Sequence, residues 1–320
     1  MIRIGVVGAG IIAAEHMKHI HQNGHAELVA VCDVAPGAAE SAVRQYGGTA
    51  YTSYDEMLKQ EKLDALFICV PPFAHGEMEE KAAERGIHLL VEKPLGLNME
   101  EVHRKAEVLT QSGIITGSGY CLRYIESVQR AKRYLQGKEI AMVRAYRFGS
   151  LPPNPWWVDH SKSGGQLVEQ TTHNLDLMMY LAGDVRKVSA DMALLLCRSV
   201  PGITTPDAAS VNMVFDSGAL GHIDTGFFPQ PDGRASLEIM GRDFRLTLEG
   251  KDLTIMESEQ TTIFRGKSDF YKSQDDAFIH AVETGDRSLI LAPYCTAMRT
   301  LEVTLAANES AKTGQPVFFI

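Results

Sequence analysis

Two sets of residues in this chain have the types and spacing to do chemistry. The first is Gly8-Ala9-Gly10-Ile11-Ile12-Ala13, which fits G-x-G-x-x-G/A between a short Val- and Ile-rich run and an amphipathic stretch. Gly8 permits a tight turn, Gly10 lets the backbone approach a pyrophosphate, and the small Ala13 lets a helix lie close on a strand. The helix that starts there offers uncommitted N–H groups and its dipole to phosphates. Asp33 ends the next apolar run, where a carboxylate accepts hydrogen bonds from ribose hydroxyls. That carboxylate would repel a 2′-phosphate, and Val34, Ala35 and Pro36 supply no cation to hold one, so NAD is expected over NADP. The second set is Glu92-Lys93-Pro94, which closes the run IHLLV. Pro94 holds Lys93 extended, and an ammonium at a strand end can stabilise a developing alkoxide. On the triplet alone, a surface lysine in a turn reads equally well.

These residues need elements to position them. Strands are predicted at Arg3–Val7, Leu28–Cys32, Ala65–Val70, His88–Val91 and Ile115–Gly119, with helices near Ile11–Asn23, Ala38–Tyr46, Tyr54–Gln60, Ala74–Arg85 and Met99–Ser112. Asn98 before Glu100 and Glu101 is an N-cap with an acidic first turn. Apolar strands at this rhythm imply a buried parallel sheet with crossover helices, a Rossmann-type doubly wound α/β domain. The rhythm changes after about Tyr120. A helix (Ile125–Gln136) and a strand (Met142–Phe148) lead to the loop PPNPWW, Pro152–Trp157, and a long helix near Gln166–Leu181. Val185–Phe264 reads as strands in a row, with hairpin turns at Asp216-Ser217-Gly218 and Gly241-Arg242-Asp243, and helices at Tyr271–Glu283 and Pro293–Ser310 close the chain. The expected organisation is residues 1–121 as a nucleotide-binding domain and 122–320 as an α+β domain for substrate and oligomerisation. Its large, open, mostly antiparallel sheet carries helices on one face.

Composition narrows the function classes. The 320 residues are 45% hydrophobic and 22% charged, with 31 Lys plus Arg against 40 Asp plus Glu. A net charge of −9 leaves no excess of cations for nucleic acid or an anionic membrane. No window has the roughly 18 apolar residues of a membrane span. The stretch Ile4–Ala14 is too glycine-rich for a secretion signal. The five cysteines, Cys32, Cys69, Cys121, Cys197 and Cys295, form no C-x-x-C pair and read as reduced, buried small hydrophobes of a cytoplasmic protein.

Gly8–Ala13, then Cys69-Val70-Pro71-Pro72-Phe73-Ala74-His75, then Glu92-Lys93-Pro94, in that order and spacing, resemble the Gfo/Idh/MocA family of NAD(P)-dependent oxidoreductases. The resemblance runs through the whole chain. The family segment G-G-x-L-x-D-x-G-x-H-x-x-D has its counterpart in Gly164-Gly165-Gln166-Leu167-Val168-Glu169-Gln170-Thr171-Thr172-His173-Asn174-Leu175-Asp176. The likeness implies Lys93 and His173 as catalytic residues at the reacting oxygen. It also implies cofactor contacts from Gly8, Gly10, Ile11, Ile12, Ala13, Asp33, Val70, Pro71, His75, Glu92 and Lys93. Glu169 stands where the family has aspartate, and Thr171 where it has glycine. Oxidising a secondary alcohol needs a base for the hydroxyl proton, and an imidazole with an ordinary pKa near 6.5 suits it.

Around this pair the expected substrate contacts are Tyr120, Arg123, Trp156, Trp157, Glu169 and Asp176. Arg123 matches a position where the family commonly carries a substrate-contacting arginine, and it could equally make a surface ion pair. The two indoles are natural walls for a sugar face or, equally, anchors of their loop to the core. Glu169, one helical turn before His173, either orients the imidazole or binds a substrate hydroxyl. A metal on Glu169, His173 and Asp176 is not expected, since the resemblance implies none. The expected function is hydride transfer between NAD and a secondary alcohol or ketone of a sugar, cyclitol or related polyol, in a homodimer or homotetramer. The alternative is an NAD-dependent glycoside hydrolase using transient sugar oxidation. A sensor that binds NAD without turnover fits poorly with Lys93 and His173 both in place.

Overall fold

The computed structural model describes residues 1–228 and 233–319. They form two compact units, one made of Met1–Tyr124 with Asp269–Met298, the other of Ile125–Ser268 with the chain from Arg299 on. The expected second domain, 122–320, is therefore not one continuous piece. The reason is apolar: Phe278, Ile279 and Ala281 are buried in one core with Ile4, Val6, Val31, Phe67 and Leu90. Phe278 meets Phe67 edge-on with ring centroids 5.4 Å apart. Burying such a ring contributes about 2–3 kcal/mol toward holding the returning segment.

The first unit runs β1 (Ile2–Val7), α1 (Ile11–Gln22), β2 (Ala26–Cys32), α2 (Pro36–Tyr46), β3 (Thr49–Tyr51), α3 (Tyr54–Gln60), β4 (Ala65–Ile68), α4 (Met78–Ala83), β5 (His88–Val91), α5 (Met99–Ser112) and β6 (Thr116–Ser118). The strands pair in parallel in the order β3-β2-β1-β4-β5-β6. The order reverses between β1 and β4, the switch point at which such sheets bind ligands. Asn98 caps α5 as expected, its Oδ1 accepting from Glu100 N at 2.9 Å. The expected helix 74–85 is shorter, because Gly76 turns to φ +52° and α4 begins only at Met78. β3 is not anticipated, since three residues at a sheet edge carry no periodicity to read.

The second unit contains α6 (Glu126–Tyr134), β7 (Ile140–Gly149), α7 (His160–Ser163), α8 (Thr172–Ala182), β8 (Val185–Ala193), β9 (Ala208–Phe215), β10 (Leu220–Phe227), β11 (Arg234–Gly241), β12 (Phe244–Glu249), β13 (Asp252–Glu257), β14 (Thr261–Phe264) and β15 (Val317–Phe318). The sheet order is β14-β13-β12-β11-β7-β10-β9-β8-β15, antiparallel except where β7 meets β10. Both expected hairpin turns are present, Asp243 taking φ +64° in the second. Val143, Ala145, Val211, Ile223, Leu237 and Ile239 are buried on one face. Met142, Leu220 and Met256, on the opposite face, are exposed. Helices α6 and α8 pack on this sheet.

Two closing helices follow, α9 (Phe270–Thr284) in the first unit and α10 (Tyr294–Thr313), whose first turn is counted with it. Among the described residues no helix is long and apolar enough to cross a membrane. All five cysteines are free thiols; Cys32, Cys69 and Cys121 are buried, whereas Cys197 is partly buried and Cys295 exposed, against the expectation that all are buried.

Candidate active site

The turn from β1 to α1 has the features a dinucleotide requires. Gly8 has φ +89°, and a Cβ there would stand 2.5 Å from the Cys69 carbonyl oxygen, so only glycine fits. At Gly10, the N-cap of α1, a Cβ would meet nothing within 4 Å, so this exposed backbone borders open space. No side chain caps the helix, which leaves its first N–H groups facing outward for an anion. Ala13 is fully buried, as its packing role demands, and Ile12 is half-buried. Asp33 accepts from Ala9 N through Oδ2 and from Ala35 N through Oδ1, both at 2.8 Å. Its carboxylate is thus fixed beside the turn, and each oxygen keeps a second lone pair for a ribose hydroxyl.

Large apolar side chains stand open after three neighbouring strands: Ile11 after β1 is 84% exposed, Val34 after β2 92% and Phe73 after β4 48%. Such side chains suit the face of a flat heterocycle. Val70 and Pro71, which lead from β4 toward Phe73, are half-buried. His75 departs from its expected place at the cofactor. Its side chain is buried, with Nδ1 2.8 Å from Oε1 of Glu79, and Glu79 also pairs with buried Lys105 at 3.1 Å. The ring belongs to an ion network between α4 and α5.

Glu92 likewise turns inward. Its carboxylate is buried, Oε2 accepts from Lys93 N at 3.2 Å, and Oε1 lies 3.2 Å from His16 Nε2. A Cβ on Gly119 would lie 2.3 Å from that carboxylate, so the glycine after β6 makes room for it. The other ring nitrogen of His16 meets Asp275 of α9. Burial alone would lower the His16 pKa, but the Asp275 and Glu92 carboxylates outweigh it and raise it to about 10. His16 is an imidazolium between two carboxylates. Lys93 is half-exposed at the carboxyl end of β5, and its peptide bond to Pro94 is cis. Tyr120 and Arg123 are buried, and the Arg123 guanidinium donates to the Leu291 carbonyl at 2.7 Å.

In the second unit, the expected helix over 166–181 opens with a π-helical turn, Leu167–Thr171, before α8. Such turns recur at functional sites because they re-aim side chains. Glu169 sits in it. Its Oε2 accepts from the indole Nε1 of Trp157 at 3.0 Å and from Gln170, which in turn accepts from Arg147 at 3.0 Å. Trp157 is buried and packs edge-on against Phe227, so it is the loop's anchor and not a wall for substrate. Trp156 stays half-exposed. His173 is half-buried near the start of α8, and Asp176, buried, accepts from Thr300 at 3.0 Å. The residues missed from sequence are His16, Asp275, Gly119, Gln170 and Arg147. His16, three residues after Ala13 on the same helix, and Gln170, inside the Gly164–Asp176 segment, stood close enough to a motif to be noticed.

An oxidoreductase-family model described as an NAD-binding Rossmann fold matches residues 2–120, and a GFO/IDH/MocA C-terminal-domain model matches residues 128–247. The chain belongs to the GFO/IDH/MocA family. It is similar to scyllo-inositol 2-dehydrogenase (NAD(+)) of Bacillus subtilis, 29% identical with 99% of this chain and 96% of that protein covered. It is also similar to myo-inositol 2-dehydrogenase of Thermotoga maritima, 30% identical with 70% and 68% covered. Among solved structures, the WlbA dehydrogenase of Bordetella pertussis, in complex with NADH and UDP-GlcNAcA, superposes with a TM-score of 0.86 at 25% identity, covering 100% of this chain and 99% of that one. As a member of the GFO/IDH/MocA family, this chain is an NAD-dependent dehydrogenase whose first unit carries the NAD-binding Rossmann fold.

Proposed function

We propose that the chain oxidises a secondary alcohol of a sugar, cyclitol or related polyol, or reduces the corresponding ketone. The observation that carries this reading is the Glu92-Lys93 turn. Glu92 is drawn into the unit by His16, and that leaves Lys93 as the half-exposed cation at the strand end. Bound NAD supplies the hydride acceptor. Gly8, Gly10 and the open start of α1 would hold its pyrophosphate, and Asp33 its ribose.

The Lys93 ammonium stabilises negative charge as it develops on the substrate oxygen. His173 accepts the hydroxyl proton and returns it in the reverse direction. Glu169 binds a neighbouring hydroxyl from the π turn, with Trp156 beside the sugar face. Asp176, Tyr120 and Arg123 act behind these groups, since all three are buried. The inositol dehydrogenases among the relatives support a cyclic polyol as substrate. The exposed Met142, Leu220 and Met256 support pairing of two copies through the open sheet face.

The test is a panel of inositols, aldoses and sugar acids with NAD, followed by the absorbance of the reduced cofactor. Net reduction with a polyol supports the proposal. Cleavage of a glycoside without net reduction would replace it with the hydrolase reading.

A further inference from the structure

Helix α1 carries a second buried histidine one turn after His16, in different surroundings. His19 is 1% exposed, and its Nδ1 lies 2.8 Å from Oδ2 of Asp275. A ring that donates to Asp275 there presents a lone pair at Nε2. Nε2 is buried and makes no hydrogen bond. It faces Oε1 of Glu15 at 3.3 Å and Oδ2 of Asp269 at 3.6 Å, and the three atoms lie within 4.8 Å of one another. Three electron-pair donors converging on one point repel unless something positive lies between them.

The spacing fits a metal ion. Ligand bonds of about 2.0–2.1 Å in tetrahedral geometry put ligand atoms about 3.4 Å apart. The groups are also held from behind. Asp275 fixes the tautomer and direction of the imidazole, the arrangement usual for metal-bound histidine. The other oxygen of Asp269 caps α9, accepting from Lys272 N at 3.1 Å, which aims Oδ2 at His19. Glu15 and Asp269 are 37% and 49% exposed, so an ion has a way in.

We propose that Glu15, His19 and Asp269 bind one divalent transition-metal ion of the Zn²⁺ class, with water completing its shell. One nitrogen with two carboxylates favours Zn²⁺ or Co²⁺ over Ca²⁺ and Mg²⁺. Two carboxylates balance the charge. The site is separate from the dehydrogenase chemistry: it clips the helix that opens at the phosphate-binding turn to the first turn of α9. Lys18 is the ion's competitor, its Nζ 2.8 Å from the same Glu15 oxygen on a side chain 43% exposed.

The test uses full-length protein stripped with chelator, titrated with Zn²⁺ by calorimetry and with Co²⁺ by visible absorption. The expected result is one ion per chain, weaker binding as pH falls and protons take Nε2, and a melting temperature that rises with free Zn²⁺. His19→Gln and Asp269→Asn each weaken binding at least tenfold; asparagine keeps the cap of α9, so that variant folds. Lys18→Met tightens it. Absence of stoichiometric binding overturns the proposal. Equal affinity in wild type and both variants overturns it too, placing the ion on exposed histidines such as His21 or His25.

Discussion

Nδ1 of His16 lies 2.8 Å from Oδ1 of Asp275, a residue 259 positions further along the chain, and both side chains are fully buried. The cofactor helix, the Glu92-Lys93 turn and α9 therefore meet on one imidazolium. Because the folded chain holds the His16 proton more tightly than an unfolded chain does, this stabilisation is complete below the ordinary pKa of 6.5 and is lost as pH rises through about 10. The melting temperature should fall as pH rises from about 6.5 to about 10. Asp275→Asn should cost about 3 kcal/mol at neutral pH, as when one partner of a buried pair is removed, and should flatten that alkaline fall. A slope unchanged in the variant would mean that His16 is not the group titrating.

If Asp33 holds the ribose, it should also set the cofactor preference. The chain should bind NAD(H) more tightly than NADP(H), and Asp33→Ala should weaken NAD by about 2 kcal/mol, roughly 30-fold, through loss of charged hydrogen bonds. The affinity for NADP should change less. Thermal shifts with each dinucleotide measure both quantities, and equal shifts in the wild type would refute the assignment.

Lys93→Ala should leave dinucleotide binding largely intact and lower kcat by about two orders of magnitude or more. Near-normal turnover on a true substrate would remove Lys93 from the chemistry.

Glu169 and Trp157 should behave as one unit. Glu169→Gln should raise KM while the acidic limb of the kcat/KM pH profile stays in place, the pattern of a lost substrate contact. Trp157→Phe keeps the packing on Phe227 but removes the indole donor, and should raise KM in the same sense. In the double variant the two effects should be non-additive by about 0.5 kcal/mol or more. A shifted acidic limb in Glu169→Gln would instead show that the carboxylate tunes His173, and strict additivity would show that Trp157 does not orient it.

The features legible in the sequence are those that local chemistry dictates. The turn at Gly8 needs glycine, apolar strands without alternation demand a sheet covered on both faces, and Asp216-Ser217-Gly218 can hardly be other than a hairpin. Buried side-chain partnerships were not legible in that way. Glu92 and His75 stand inside the motifs that carry the family likeness, which implies them as cofactor contacts, yet His16 and Glu79 draw them inward. Trp156 and Trp157 are adjacent and chemically identical, and the packing of Phe227 and the carboxylate of Glu169 mark Trp157 as the anchor while Trp156 stays half-exposed. The partner that decides His16 lies in α9, too far along the chain for any spacing rule to reach.

The nucleotide-end unit closes only with residues 269–298, and this bears on how the chain is made. A nascent chain that has emerged to Tyr124 has every strand of the six-stranded sheet but neither Phe278 for its core nor Asp275 for His16. At translation rates of about 5–20 residues per second, the interval before α9 emerges is on the order of ten seconds. Through that interval Phe67 lacks its cover, and His16 lacks Asp275, one of its two carboxylate partners. The second unit's strands are synthesised in the meantime, so the first unit to begin is completed after most of the second has been made.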